Sequence, residues 1–244
     1  MNNEKNHPDI FGNAIKAYFE HGEEEDITVH SPDFDDDVIP VAYLFRNYQE
    51  MPPLEKKALG LCNGRVLDVG CGAGSHSVYL QQEKKLKVTA IDTSKGAVEV
   101  CRKRGIDDAR NVAFEDLSEE KYDTVLLLMN GTGIVGKMRK LDDFFRKLRD
   151  LLNIEGQVLI DSSDLIYLFE TDEDGGVWVD AAGGYYGELV YSLSYKGETS
   201  DSFDWLYLDF DSLSLAAAKN GFSCELVKQG EHYDYLAKLT LNEK

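Results

Sequence analysis

After residue 64 the apolar positions fall into two alternating patterns. RVLDV (65–69), KVTAID (87–92), YDTVLLLMN (122–130) and QVLIDSS (157–163) are short apolar runs bounded by turn residues, as buried strands are. NVAF adds a shorter one. Between them the period lengthens. Ser75 opens a helical stretch to about Glu83, Ser94 caps the next, and Gly105 supplies its left-handed stop. In KMRKLDDFFRKLRDLLN the residues Met138, Leu141, Phe145, Leu148 and Leu152 recur at helical spacing, so one face packs on a sheet while Arg and Lys face water.

The rhythm breaks after residue 164. Glycines, aromatics and acids fill 171–205, with ELVYSLSY predicting a strand in a hairpin. It resumes with a helix from about Asp211 to Asn220, then FSCELVK and HYDYLAKLTL as an antiparallel closing pair. Ahead of the alternation, residues 1–60 read as mainly helical through AIKAYFE and VAYLFRNYQEM, with Pro52 and Pro53 before LEKKALGL. The expected architecture is α/β: a doubly wound, seven-stranded, mostly parallel sheet with an antiparallel last strand. Residues 1–60 form a helical cap, and residues 61–244 form the main domain with a β-rich insertion at about 164–208.

Charge adds a second layer. The chain of 244 residues carries −19 formally, and the excess is concentrated. Residues 1–60 hold 13 acids against 5 bases and residues 171–211 hold 10 against 1, so the remainder is nearly neutral. Such a surface repels nucleic acid, and no basic patch interrupts it. No apolar run approaches the ~20 residues that cross a bilayer. Cys62, Cys71, Cys101 and Cys224 lack C-x-x-C spacing and the start MNNEKNHPDI is polar, so a reduced, cytoplasmic protein is expected.

Candidate chemistry gathers at two glycine turns. In a doubly wound sheet, ligands sit beyond the carboxyl ends of the strands where the strand order reverses. The first turn, VLDVGCGAGSHS, carries Gly70, Gly72 and Gly74, which let the backbone turn sharply beside a ligand. Asp92, 18 residues after Gly74 at a strand end, is placed for ribose hydroxyls. A dinucleotide site would need its third glycine at Ser75, and Asp68 would sit badly beside a pyrophosphate. The same carboxylate suits a ligand carrying ammonium and sulfonium charges. The second turn, NGTGIVGK (130–137), satisfies G-x-x-x-x-G-K, but Met138 stands where a phosphate loop needs Ser or Thr.

Through VLDVGCGAG, VTAIDTS, EDL (115–117) and the LLN-x-x-G run, the chain resembles the class I S-adenosylmethionine-dependent methyltransferases, closely over 61–163 and more loosely at the final helix and hairpin. The resemblance implies S-adenosylmethionine as cofactor. It implies that Gly70, Cys71 and Gly72 pass beneath it, Asp68 holds its amino acid part, and Asp92 with Thr93 lies at the ribose. Asp116 would face the adenine amino group, Leu117 would offer a backbone N–H, and Met129 and Asn130 would line the methionine end, Asn130 touching either that end or the acceptor. Strands one and four are neighbours in that fold, so both glycine turns border one crevice.

Other residues keep two readings. Arg46 pairs either with the cofactor carboxylate or with Glu50 one helical turn on. Tyr18 and Tyr43 either close the site or pack in the core. Cys71 is a small residue near the cofactor, not a nucleophile. The histidines show no ligand spacing and the acidic runs read as solvated faces, so no metal is expected. The aromatics from Trp178 to Phe210 pack the hairpin, with a few left to wall a pocket. A small-molecule acceptor follows, and the two acidic segments, which commonly shape the acceptor pocket in this fold, are either a solvated acidic surface or the lining for an amine-bearing or cationic acceptor. A non-catalytic S-adenosylmethionine-binding protein and a nicotinamide oxidoreductase are the alternatives.

Overall fold

A computed structural model describes residues 8–117, 120–169 and 184–242. Expectations that fall on 170–183, Trp178 among them, lie outside the described residues.

The central sheet has seven strands: β3 (Arg65–Val69), β4 (Lys87–Asp92), β5 (Ala109–Asn111), β6 (Tyr122–Leu127), β7 (Leu152–Ser163), β11 (Phe222–Gln229) and β12 (Asp234–Leu241). Their order is β11-β12-β7-β6-β3-β4-β5. The strands from β7 to β5 are parallel, and β12 runs antiparallel to both β7 and β11. The expected doubly wound sheet with its antiparallel last strand is therefore present. Successive strands step from β3 to one side and then to the other, which opens a crevice above the carboxyl ends of β3, β4 and β6.

Side chains alternate across this sheet. Leu67, Val69, Val125, Leu127, Val158 and Ile160 face α5 (Leu141–Leu151) and α6 (Phe210–Lys219) in one buried cluster. Val66, Leu126, Leu159 and Leu236 face a second cluster with Leu54, Ala58 and Leu80 from α2 (Pro53–Leu61) and α3 (Ser75–Gln82). α5 packs through Leu141, Phe144, Phe145, Leu148 and Leu151, close to the predicted stripe. It begins later than predicted: Met138 opens a short 3₁₀ turn, and Leu152 already belongs to β7. Ser94 caps α4 (Lys95–Lys103) as expected, accepting from the Ala97 N–H at 3.0 Å. Ser75 does not cap α3; Gly74 holds that place in a left-handed conformation, and the Ser75 hydroxyl donates to the Leu44 carbonyl at 2.8 Å.

The N-terminal region needs correcting. Besides α1 (Ile10–His21) and α2 it contains two strands, β1 (Ile27–His30) and β2 (Asp37–Ile39), while VAYLF is a 3₁₀ turn. These strands join the insertion, whose β8 (Glu188–Tyr195), β9 (Glu198–Thr199) and β10 (Phe203–Leu206) complete a second, antiparallel sheet ordered β10-β8-β1-β2, with β9 on β8. Cap and insertion are thus one layer. β1 finds its partner, β8, far along the chain, and strands of three or four residues flanked by EEED and DFDDD carry too little local pattern to reveal that pairing.

α1 is locked onto α4 by one side chain. Asp9 accepts from the Gly12 N–H at 2.9 Å, the Gly96 N–H at 2.8 Å and the Ser94 hydroxyl at 3.0 Å, tying two helix N-termini together.

Candidate functional site

The first glycine turn leaves β3 at the centre of the crevice. Val66, Leu67, Asp68 and Val69 are buried, which fixes the strand, and Gly70, Gly72 and Gly74 all take positive φ. Gly74 is the most restrictive position: a Cβ there would lie 2.5 Å from Ile106 Cδ1 and 2.8 Å from Cys101 Sγ, with φ at 83°, whereas at Gly72 (φ 53°) it would rest against the Phe11 ring of α1 at 3.6 Å. At Gly70 a Cβ would meet nothing, so the backbone there faces open space. The turn is held from the next strand. Gly70 and Cys71 donate to the Ile91 carbonyl at 2.9 and 3.0 Å, and Gly72 donates to Asp92 Oδ2 at 2.9 Å.

Asp92 accepts from the Ser94 N–H through its other oxygen at 2.8 Å. Burial pushes its carboxyl above the usual range, Asp9 and Asp68 add to the rise, and the two backbone donors oppose it. Asp68 is buried and accepts only from Ser77, whose hydroxyl lies at 2.6 Å. Burial raises it too, and no cation pairs with it among the described residues. A buried carboxylate left in this state favours an incoming positive group.

Beside this lies the remaining expected set. Thr93 is exposed at the end of β4, where its carbonyl and that of Asp92 accept from Asn111. Asp116 is exposed on a 3₁₀ turn over Phe114–Asp116, and Leu117 is buried directly after it, its N–H bonded to the Phe114 carbonyl at 3.4 Å. Cys71 faces away from open space, with its sulfur 3.7 Å from that of Cys101. That contact and burial push its thiol well above the ordinary value, which suits a packing role.

At the other end, β6 terminates in a left-handed pair, Met129 (φ 66°) and Asn130 (φ 60°). Asp161 at the end of β7 holds this turn, accepting from the Met129 N–H at 3.1 Å and the Gly131 N–H at 2.9 Å. Non-glycine residues in this conformation cost about 1–3 kcal/mol each, which two hydrogen bonds to a carboxylate can offset. Met129 is 41% exposed, but the Asn130 amide is turned away, accepting from the Ser162 hydroxyl and donating to the Leu206 carbonyl of β10. The expectation that its side chain touches acceptor or cofactor meets this competing use.

NGTGIVGK is not a phosphate cradle. Gly133, Gly136 and Lys137 donate their N–H groups within the loop, and the Lys137 ammonium lies 3.5 Å from both Glu188 and Asp204. The loop is the platform on which the insertion docks.

Arg46 is buried, so the reading as a surface pair with Glu50 is wrong. Its guanidinium bonds Glu55 through Nη2 at 2.6 Å and Nε at 3.1 Å, donates to the Tyr43 carbonyl at 2.8 Å and stacks on the Tyr43 ring at 4.1 Å. His76 completes a buried triad, with Nε2 at 2.9 Å from Glu55. Burial pushes Glu55 up, but His76 and Arg46 more than offset it, leaving the carboxyl below its ordinary value. The true partner is nine residues from Arg46 across two prolines, out of reach of a one-turn helical rule. Tyr43 is 39% exposed at the rim of the crevice, whereas Tyr18 packs in the core with Phe45. Glu55, His76 and Asp161 escaped the sequence reading. The one signal for Asp161 was an acid closing an apolar strand run. Among the described residues no group of His, Cys, Asp and Glu is arranged for a metal.

Comparison with known proteins agrees with this geometry. Residues 66–156 match the family model described as a methyltransferase domain. The chain is 46% identical to an S-adenosylmethionine-dependent methyltransferase from Bacteroides fragilis, solved in complex with S-adenosyl-L-homocysteine; the match covers 96% of this chain and 95% of that one, with a TM-score of 0.89. It is similar in fold to the CcbJ methyltransferase of Streptomyces caelestis, at 16% identity, a TM-score of 0.61 and coverage of 83% and 96%. A putative methyltransferase of Bacillus subtilis, YqeM, is 25% identical over 161 residues, 58% of this chain, and that match spans 64% of the relative, just under two thirds of its length. With the glycine turn, the paired strand-end carboxylates and a 46% identical relative covered almost end to end, the chain belongs to the class I S-adenosylmethionine-dependent methyltransferases.

Proposed function

We propose that the protein transfers the methyl group of S-adenosylmethionine to a small-molecule acceptor bearing an amine. The observation that carries this reading is the first turn itself: Gly72 donating to Asp92 while Asp68 waits, buried and without a cation, at the neighbouring strand end. In the proposed arrangement Asp68 would accept from the cofactor ammonium, Gly70, Cys71 and Gly72 would pass beneath the cofactor, and Asp92 and Thr93 would meet the ribose. Asp116 and Leu117 border the adenine, and Met129 lines the methyl end. Arg46, anchored by Glu55, turns its outer N–H donors to the cofactor carboxylate, and Tyr43 closes the rim.

When bound, the cofactor supplies a methyl group on a sulfonium, already activated for displacement. The protein's part is to align acceptor and methyl carbon and to exclude water, which accounts for much of the acceleration such reactions need. An amine-bearing acceptor is supported by what surrounds the methyl end. Lys137 is spent on Glu188 and Asp204, whereas acids are plentiful in the overlying layer. Nucleic acid is excluded from this reading by the same charge. We read the protein as cytoplasmic from its four free cysteines; no helix among the described residues is long and apolar enough to cross a membrane.

Calorimetric titration of S-adenosylmethionine and S-adenosylhomocysteine into wild type and Asp92→Ala tests the reading. Both ligands are expected to bind wild type and to weaken about tenfold or more in the variant. Absence of binding to folded, cofactor-free wild type would remove its basis.

A further inference from the structure

The strand order lays the crevice out as a line of carboxylates: Asp92 on β4, Asp68 on β3, then, past the methyl end at β6, Asp161 on β7. The first two fall to the cofactor in the reading above. Asp161 lies one strand beyond, at the turn that the reading above gives to the methyl end. Its two oxygens each take one backbone N–H, from Met129 and Gly131, and no lysine or arginine pairs with it among the described residues. A carboxylate fixed by two backbone donors is aimed as well as held, and each oxygen keeps acceptor capacity.

Its surroundings select against an anion. Glu55, tied to Arg46 and His76, is the nearby carboxylate that adds to the effect of burial on Asp161. Above the turn, Leu206 of β10 accepts from Asn130 and Thr132, which seats the insertion layer on the turn that Asp161 holds. The Tyr207 phenol faces that of Tyr191, with Asp37 of β2 nearby. Aromatic faces and carboxylates together favour a positive group.

We propose that Asp161 anchors the acceptor amine, accepting an N–H hydrogen bond that turns the nitrogen lone pair toward the methyl carbon. This deepens the methyltransferase reading and rests on it. The amine enters as the free base, its ammonium proton having passed to water. The nitrogen lone pair forms the new C–N bond, the C–S bond breaks with its electrons going to sulfur, and the positive charge moves from sulfur to nitrogen. A fixed carboxylate beside that nitrogen is worth more as the charge arrives than before, which makes its contribution catalytic and not merely binding.

The test uses S-adenosylhomocysteine analogues in which nitrogen replaces the sulfur and carries a 3-aminopropyl, propyl or 2-carboxyethyl arm, titrated calorimetrically with S-adenosylhomocysteine as reference. In wild type the aminopropyl arm is expected to bind about tenfold more tightly than propyl, with the carboxylate arm weakest. In Asp161→Asn the preference for the amine should vanish while the reference ligand still binds. A wild type indifferent to the arm's charge, or an amine preference that survives in Asp161→Asn, overturns the assignment. The wild-type ranking stands even where the variant fails to fold. Loss of reference binding in wild type would instead sink the methyltransferase reading beneath it.

Discussion

The indole of Trp205 lies flat across Gly133: a Cβ on that glycine would fall 2.0 Å from ring atom Cε2. The contact explains why position 133 of the turn after β6 is glycine without a phosphate to cradle. β10 of the insertion rests on it, and a side chain at 133 would lift the strand. Gly133→Ala is therefore expected to destabilise the protein by about 2 kcal/mol through overpacking. Thermal unfolding should show a lowered midpoint, and the damage should fall on acceptor KM more than on S-adenosylhomocysteine affinity. Equal loss of both would mean that the platform serves the cofactor too.

Arg46 and Glu55 form a buried ion pair, and removing one partner strands the other. Arg46→Met leaves Glu55 with His76 alone and is expected to cost about 3 kcal/mol, because an uncompensated buried charge is the expensive state. The double variant Arg46→Met, Glu55→Leu should recover most of that stability, since both charges go. Chemical denaturation of the three proteins checks the pattern. Additive losses in the double variant would show that the two residues do not depend on each other.

Asp9 offers a test of the roof. Its carboxylate joins the first turn of α1 to that of α4, and α1 carries Phe11 over Gly72. Asp9→Ala removes an N-cap and should cost about 1–2 kcal/mol. Hydrogen exchange should quicken first in α1, and cofactor affinity should fall with the loss of the Phe11 contact. Unchanged exchange in α1 would show that Asp9 is dispensable to the latch.

Most of the central sheet was legible because its strands are apolar runs bounded by turns and α5 carries a full stripe, whereas β5 is Ala109–Asn111 and not the expected NVAF. RVLDV and DDFFRKLRDLL state their burial locally. The carboxylates of the first turn were equally legible, since Asp68 and Asp92 stand at fixed steps from the glycines. What stayed hidden depends on contacts between distant segments. β1 pairs with β8 across more than 150 residues, Arg46 finds Glu55 over a proline bend, and Gly133 is a glycine because of Trp205. The competing use of Asn130 was hidden for the same reason: nothing near it in sequence indicates that Ser162 and Leu206 hydrogen-bond its amide.

Asp161 permits a prediction in pH with two opposite signs. Burial lifts its carboxyl from 3.8 to about 6, the Gly131 and Met129 N–H groups opposing and Glu55 adding to the rise. A raised carboxyl means that the folded state binds its proton first, so this group's cost to stability is full above pH ~6 and is relieved as pH falls toward 4. Wild type should thus gain on Asp161→Asn, which cannot titrate, by about 2–3 kcal/mol between pH 7 and 4. Glu55, held below its ordinary value, loses stability only at lower pH and does so in both proteins. Ligand binding runs the other way. An ammonium arm needs the ionised carboxylate, so its advantage over a propyl arm should be complete at pH 8 and fade as pH falls below about 6. His76 and Tyr43 also feel the Asp161 charge, but neither separates the arms in Asp161→Asn if the carboxylate is the anchor. An amine advantage that holds unchanged from pH 8 to 5 in wild type would assign the selectivity to some other group.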